Sequence, residues 1–150
     1  MPPKLVVLDT NVCLDLFVFN DPRWSIILKG LKEGSIIAVT RDDCRQEWLA
    51  VLHYEHLPIN DNTRLQMIEI FDELISCVTP AEKNYILPKC SDKDDQKFLE
   101  IARDAEVETL ITKDKALLKL ARKTKLAGYY SIKTPESFLA NFVSNSVVTH

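Results

Sequence analysis

Acidic residues stand at four separate places along the chain where they could meet in one metal-binding site. They lie in KLVVLDTNV, RQEWLAVL, DKDDQKFLEIA and TLITKDKALL, and they are Asp9, Glu47, the pair Asp94 and Asp95, and Asp114. Carboxylates gathered in one place repel one another strongly unless a cation joins them. Oxygen ligands select hard cations such as Mg²⁺ or Mn²⁺ over zinc. Such sites serve phosphate chemistry, because the ion polarises a phosphoryl group and lowers the pKa of a bound water.

Glu47 occupies an informative position in its predicted helix. It lies three residues after Cys44 and four before Val51, so helical spacing puts it on the apolar flank. A solvated glutamate would be expected on the far side, with Arg45 and Gln46. The position of Glu47 therefore indicates the rim of a pocket.

The segment that contains Asp94 and Asp95 predicts an amphipathic helix. Its buried face is marked by Phe98, Ile101, Ala102 and Ala105. Stepping back about 100° per residue places Asp94 on the centre line of that face, Asp95 beside it and Gln96 opposite. Both aspartates are therefore predicted to face inward at the N-terminus of the helix, where the helix dipole also favours negative charge.

Each acid taken alone has an ordinary structural explanation. Asp9 can form a turn with Thr10 and Asn11, and Asp114 can cap the helix that follows it. Acids in the first turn of a helix are also common as caps. The functional interpretation therefore depends on whether the fold brings these residues together.

The elements that must position the acids alternate between strand and helix patterns. Strands are predicted at residues 5–8, 36–39, 76–79, 109–112 and 129–132. Helices are predicted at residues 12–18, 24–31, 65–75, 92–105, 115–123 and 135–142, with another that begins at a capping box from Thr40 to Asp43. Repeated alternation predicts a mostly parallel sheet with helices on both faces. Such sheets bind ligands outside the carboxyl ends of their strands.

Composition bounds the class of protein. At 150 residues, with 46% hydrophobic and 27% charged residues, the chain predicts one globular domain over residues 1–143 and a disordered tail over residues 144–150. Three glycines are too few for a glycine-rich phosphate loop. The four cysteines form no CxxC pair, and HYEH lacks the spacing of a zinc helix. The chain shows neither a membrane span nor a signal peptide, so a cytoplasmic location is expected.

A net charge of −3 argues against a protein that coats nucleic acid, but a local basic cluster begins beside Asp114. Its members are Lys113, Lys115, Lys119, Arg122, Lys123 and Lys125. A solvated helix face is the ordinary explanation for such a run. Its start beside Asp114 favours a contact with phosphates.

Taken together, VVLDTNV, RQEWLAVL, DKDDQKFLEIA and LITKDKALLKLA resemble the motifs of the PIN-domain ribonucleases. The likeness extends from Lys4 to about Phe142. Within the family, the chain most resembles the bacterial group described as toxin components of toxin–antitoxin systems. The resemblance implies a three-layer α/β/α sandwich around a central, mainly parallel five-stranded sheet. It also implies an acidic pocket that binds Mg²⁺ or Mn²⁺ and hydrolyses RNA. A cognate antitoxin protein and a homodimer are partners expected from the family alone.

The resemblance assigns roles to particular residues. The four family acids match Asp9, Glu47, Asp95 and Asp114, with Asp94 as an additional or alternative ligand. Supporting polar positions match Thr10, Asn11 and Thr112. Contacts with the RNA backbone, which give affinity but little sequence selectivity, are expected from Arg41, Arg45, Lys113, Lys115 and Lys119. Many relatives carry an acid where Gln96 stands, but the helical phase favours Asp95 as the third acid.

The leading hypothesis is a metal-dependent endoribonuclease with one or two ions, and three alternatives stand beside it. A phosphohydrolase could use Asp9 as a covalent nucleophile, although Asn11 stands where haloacid-dehalogenase-like enzymes have a second aspartate. A receiver-like signalling domain also gathers acids at strand ends, but its adjacent acids belong near the first strand. The last alternative is a degenerate PIN-like module that binds RNA without cleaving it.

Overall fold

A five-stranded sheet forms the centre of the protein in a computed structural model, which describes residues 2–148, with side chains to residue 143. The strands are β1 (Lys4–Leu8), β2 (Ile36–Thr40), β3 (Ile75–Cys77), β4 (Thr109–Ile111) and β5 (Ser131–Lys133). Their order across the sheet is β3-β2-β1-β4-β5, and each neighbouring pair is parallel. This architecture confirms the predicted α/β/α fold with a five-stranded sheet.

Helices fill the connections between the strands. They are α1 (Thr10–Cys13), α2 (Ser25–Glu33), α3 (Asp42–Val51), α4 (Asp61–Leu74), α5 (Gln96–Asp104), α6 (Lys115–Leu118), α7 (Ala121–Leu126) and α8 (Pro135–Val148). A π-helical turn, Leu14–Val18, continues α1, and 3₁₀ turns at Pro22–Trp24 and Lys93–Asp95 lead into α2 and α5. Within the part of the chain that is described, no helix has both the length and the apolar character needed to cross a membrane.

Both faces of the sheet are apolar, because successive strand residues point to opposite sides. Val6 belongs to a buried cluster with Trp48 and Phe71, formed with helices α1 to α4 on one face. Val7 belongs to a second cluster with Phe98, formed with α5, α6 and neighbouring residues on the other face. Parallel sheets require this burial on both sides. The two clusters pack the helices against the sheet and so hold the strand ends in place.

The strand order creates a switch point between β1 and β4. The chain moves from β1 to β2 and β3 on one side, and then returns to β4 and β5 on the other. At this point the amide of Asp9 donates to the carbonyl of Ile111, 3.0 Å away. Open α/β sheets bind ligands in the crevice outside such a point. The fold therefore brings Asp9 to the same edge as the residues that follow β4.

The start of α3 differs from the prediction. Its N-cap is Arg41 and makes no side-chain cap bond, so the predicted capping box from Thr40 to Asp43 is wrong. Thr40 is instead the last residue of β2, where it pairs with Cys77 of β3. Extension of the strand by one residue moves the helix start beyond the reach of the hydroxyl.

Three boundaries near the C-terminus also differ. The helix predicted over residues 115–123 is divided into α6 and α7, and the strand predicted over residues 129–132 begins at Ser131. Gly128 adopts a φ of 74°, which turns the chain before that strand. The backbone of α8 continues to Val148, beyond the predicted end at residue 142. The side chains of residues 144–148 and the whole of residues 149 and 150 lie outside the described part of the chain. The disordered tail predicted for residues 144–150 therefore stays a prediction.

Trp48 is expected to be a principal source of stability for the helix that carries Glu47. Its ring is 1% exposed and stacks on Phe71 with centroids 5.2 Å apart. Trp48→Ala should lower the free energy of unfolding by about 3–5 kcal/mol, the usual cost of removing a large buried aromatic side chain. Urea denaturation measures the change. Leu65→Ala, at a side chain that is 61% exposed, should change it by less than about 0.5 kcal/mol; equal losses would contradict this account of the core.

Candidate metal centre

The first acid of the site is buried and held by a hydroxyl. Asp9, which directly follows β1, is 3% exposed, and its Oδ2 accepts a hydrogen bond from the Thr112 hydroxyl at 2.7 Å. Burial raises the pKa of Asp9 to about 6, and the charges of Glu47 and Asp114 add to this rise against the lowering effect of Thr112. An ionised carboxylate here is therefore costly unless a cation joins it.

Thr112 also positions the acid that follows β4. Its hydroxyl accepts a hydrogen bond from the amide of Asp114 at 2.9 Å, while it donates to Asp9. The Asp114 carboxylate accepts from the amide of Ala116 at 2.7 Å and so caps α6. One buried hydroxyl thus connects the ends of β1 and β4. The supporting role predicted for Thr112 has a clear geometric basis.

A group of three carboxylates lies at this edge. One oxygen each from Asp92, Asp95 and Asp114 lies within 4.8 Å of the other two. Asp95 is buried, and its Oδ2 has no hydrogen-bond partner among the described residues. Burial, together with the neighbouring Asp114, raises the pKa of Asp95 well above its usual range. Crowded oxygens and a buried unpartnered acceptor fit a hard divalent cation, which would satisfy both.

Both carboxylate oxygens of Glu47 have partners. Oε2 accepts a short hydrogen bond from the Thr10 hydroxyl, and Oε1 lies 2.9 Å from Nζ of Lys97. Partial burial works against the charged form of Lys97, but the hydrogen bond and charge of Glu47 outweigh it and raise the pKa of Lys97. The predicted pocket-rim position of Glu47 therefore includes a lysine that the sequence patterns did not indicate.

One aspartate of the 92–95 segment, Asp95, is buried, whereas Asp92 and Asp94 are both exposed. Asp94 also lies outside the group of three, so its predicted inward orientation is wrong. Residues Lys93–Asp95 form a 3₁₀ turn, in which successive side chains are about 120° apart, so a count at 100° per residue fails there. Asp92, which caps this turn, is exposed as well, but one of its oxygens belongs to the group of three, where Asp94 was expected. Three aspartates within four positions were the signal that could have indicated it.

Gln96 faces away from the carboxylates, as the helical phase predicted. Its Oε1 accepts from the amide of Cys90 at 2.7 Å, and its Nε2 donates to the carbonyl of Pro88 at 3.1 Å. These bonds fix the loop that borders a cavity of about 900 Å³ behind the 3₁₀ turn. Gln96 therefore holds a loop, and its lack of a negative charge removes no ligand from the group of three.

The two arginines expected to bind RNA are engaged in ion pairs. Arg41 contacts Asp43 and Glu100, each at 2.7 Å, and Arg45 forms two hydrogen bonds with Asp72. Paired guanidinium groups of this kind join α3 to α5 and α4. Their contacts support a structural role in place of the predicted contact with phosphates.

The lysines after β4 are in different situations. Nζ of Lys113 lies 2.6 Å from Oδ2 of Asp15, a buried acid in the π-helical turn. Lys115 and Lys119 are exposed, and within the described part of the chain neither makes an ion pair. Asn11, predicted as a supporting polar residue, is exposed beside the site. Lys115 and Lys119 are thus open to a ligand, as are the exposed residues Arg122, Lys123 and Lys125 of the same cluster.

An acidic group at the switch point of a parallel α/β sheet fits a protein that binds a divalent ion at the edge of its sheet.

 The family model of the PIN domain matches residues 5–116, which is most of the chain. The chain therefore belongs to the PIN-domain family, whose members are generally nucleases that use divalent metals. Comparisons with curated proteins and with solved structures give no match. The matched residues include Asp9, Glu47, Asp95 and Asp114.

Without metal, the protein should become less stable as the pH rises from about 5 to about 8. The raised pKa values of Asp9 and Asp95 mean that the native state keeps protons that the unfolded chain, with aspartate pKa values near 3.9, has already released. Stability falls with pH wherever the native state binds more protons. Acids whose pKa is lowered, such as Asp43 and Asp72, lose their contribution only below this window.

Urea denaturation in the presence of a chelator, at several pH values in this window, measures the effect. The Asp9→Asn variant should show a smaller decline, because one of the two titrating groups is gone. A metal-free protein that gains stability between pH 5 and pH 8 would contradict the site electrostatics described above.

Proposed function

We propose that this PIN-domain protein is a Mg²⁺- or Mn²⁺-dependent endoribonuclease. The observation that carries the proposal is the group formed by Asp92, Asp95 and Asp114, with a buried, unpartnered oxygen on Asp95. Asp9 lies close enough to this group to raise the pKa of Asp95. A hard cation is the ligand that such an arrangement fits best.

Within this proposal, some residues of the site bind the ion and others orient them. Asp92, Asp95 and Asp114 would hold the ion, with Asp9 beside them and oriented by Thr112. When bound, the ion supplies a water of lowered pKa and positive charge for the phosphate. Asp94 lies outside this group and so has no geometric support as a ligand.

The substrate side of the proposal rests on Lys115 and Lys119. Both are exposed: Lys115 follows Asp114 directly at the start of α6, and Lys119 lies at the other end of that helix. RNA is the proposed substrate because the chain resembles ribonucleases and because backbone phosphates complement these charges. Lys113 would contribute less, since Asp15 already pairs with it.

Further parts of the proposal come from the family resemblance, and they are a toxin role, a cognate antitoxin protein and a homodimer. A cytoplasmic location and a single nuclease domain over residues 1–143 are proposed from the sequence. The alternatives that use phosphoaspartate fit less well, because Asp9 is 3% exposed and hydrogen-bonded to Thr112. A nucleophile needs access to the phosphorus atom.

The acids of the site should be separable by substitution. Asp9→Asn, Asp95→Asn and Asp114→Asn should each lower the rate of RNA cleavage by about 100-fold or more, the size of loss that follows removal of a charge-stabilising group. Their metal-free melting temperatures should stay level or rise, because one repelling charge is gone. Asp94→Asn is the matched control, and its rate should stay within about threefold of the wild type.

Metal binding can be measured separately from RNA cleavage, through the melting temperature. Millimolar Mn²⁺ should raise the melting temperature of the wild type, because an ion that binds only the native state stabilises it, by about 2.7 kcal/mol at 100 times its Kd. The shift should be reduced in Asp95→Asn and kept in Asp94→Asn. Absence of any Mn²⁺-dependent shift in the wild type would remove the basis of the proposal.

The two open lysines provide a test of RNA binding. The double variant Lys115→Ala/Lys119→Ala should bind single-stranded RNA more weakly, and the log–log slope of affinity against salt should flatten by about 1.4, since each phosphate contact contributes about 0.7. A matched double variant, Lys29→Ala/Lys32→Ala on α2, should keep the wild-type slope. Filter binding over a range of salt concentrations gives both values, and an unchanged slope in the first variant would mean that RNA enters elsewhere.

A further inference from the structure

A lysine ammonium group lies among the acids of the site. Lys97 belongs to the first turn of α5, where the helix dipole disfavours positive charge. Its side chain is nevertheless 18% exposed, and Nζ lies 2.9 Å from Oε1 of Glu47 and 2.5 Å from the carbonyl of Asp94. The position of Lys97 therefore depends on the negative charge around it.

The acids of the site fall into two sets with different partners. Asp92, Asp95 and Asp114 lie together with an unpartnered buried oxygen, so they are available to an ion. Glu47 stands apart from that group, and its two oxygens are engaged by Thr10 and Lys97. An ion that took Glu47 as a ligand would have to displace an ammonium group or lie next to it.

Other basic side chains near the site have different partners. Lys113 pairs with Asp15, and Arg41 pairs with Asp43 and Glu100. Within the described residues, Lys97 is the cation that directly contacts one of the acids matched by the family motifs. The positive charge on the Glu47 side of the site therefore comes from the chain itself.

We propose that Lys97, held by Glu47, supplies the second positive charge of the site, so that the protein binds one divalent ion on the side of Asp92, Asp95 and Asp114. Glu47 is then a positioning residue for the ammonium group and not a metal ligand. The inference rests on the proposed function and decides between one and two ions. For the substrate, it places a fixed cation beside the ion, where the negative phosphodiester requires charge to be offset.

Titration calorimetry with Mn²⁺ tests the proposal without any activity measurement. The wild type should bind one ion per chain. Glu47→Gln should bind that ion with a Kd within about threefold of the wild type, whereas Asp95→Asn should weaken it by about tenfold or more. A wild type that binds two ions, or a Glu47→Gln variant that loses affinity as Asp95→Asn does, would overturn the proposal.

Removal of the ammonium group provides a second test, in which the number of bound ions should increase. Lys97→Met keeps most of the side-chain volume and frees Glu47, so this variant should bind two Mn²⁺ ions, and Lys97→Met/Glu47→Gln should return to one. Lys97→Arg and Lys93→Met, an exposed lysine of the preceding 3₁₀ turn, are the controls and should bind one ion. If Lys97→Met still binds one ion, the ammonium group does not occupy the place of a second ion, and the proposal is wrong.

Cleavage assays separate this inference from the proposed function. At low Mn²⁺, Lys97→Met should cleave RNA about 100-fold more slowly than the wild type, and high Mn²⁺ should restore much of the rate as the second ion replaces the ammonium group. Metal-dependent cleavage by a wild type that binds two ions would overturn the inference and leave the proposed function intact. A wild type that binds one ion but cleaves no RNA would overturn the proposed function and leave the arrangement of charges intact.

Discussion

Repulsion among carboxylates at the carboxyl ends of β1 and β4 is the constraint on which the rest of the site depends. Asp9 and Asp114 come from strands far apart in sequence, and the parallel pairing of β1 with β4 brings their ends side by side. Buried carboxylates do not stay together by themselves. The apolar layers on both faces of the sheet supply the free energy that keeps them there, and burial in turn raises the pKa of Asp9 to about 6.

Three kinds of contact offset this repulsion. The Thr112 hydroxyl donates to Asp9 and accepts from the amide of Asp114, so that one side chain holds both acids. The N-terminus of α6 receives the Asp114 carboxylate. Lys97 brings a positive charge to Glu47. One oxygen of Asp95 remains buried and without a partner among the described residues, and this is the part of the site that a cation would complete.

Basic residues near this edge differ in whether they are free to bind a ligand. Arg41 and Arg45 stand close to Glu47 in sequence, but both lie in ion pairs that connect helices, with partners as distant in sequence as Glu100. Lys115 and Lys119 remain open because both side chains are exposed to solvent, one at the start of the short helix α6 and the other directly after its end. The fold thus decides which of these cations remain free to bind a ligand.

The sequence by itself determined the alternation of strands and helices and the inward position of Asp95, because apolar periodicity is a local property that survives folding. Strand order is not local, and only the tertiary structure placed the switch point between β1 and β4. It also decided that Asp92 joins the site in place of Asp94, because a 3₁₀ turn precedes α5 and changes the angle between successive side chains. Lys97 gave no signal in the sequence, since its meaning comes from Glu47, fifty residues away along the chain and 2.9 Å away in space.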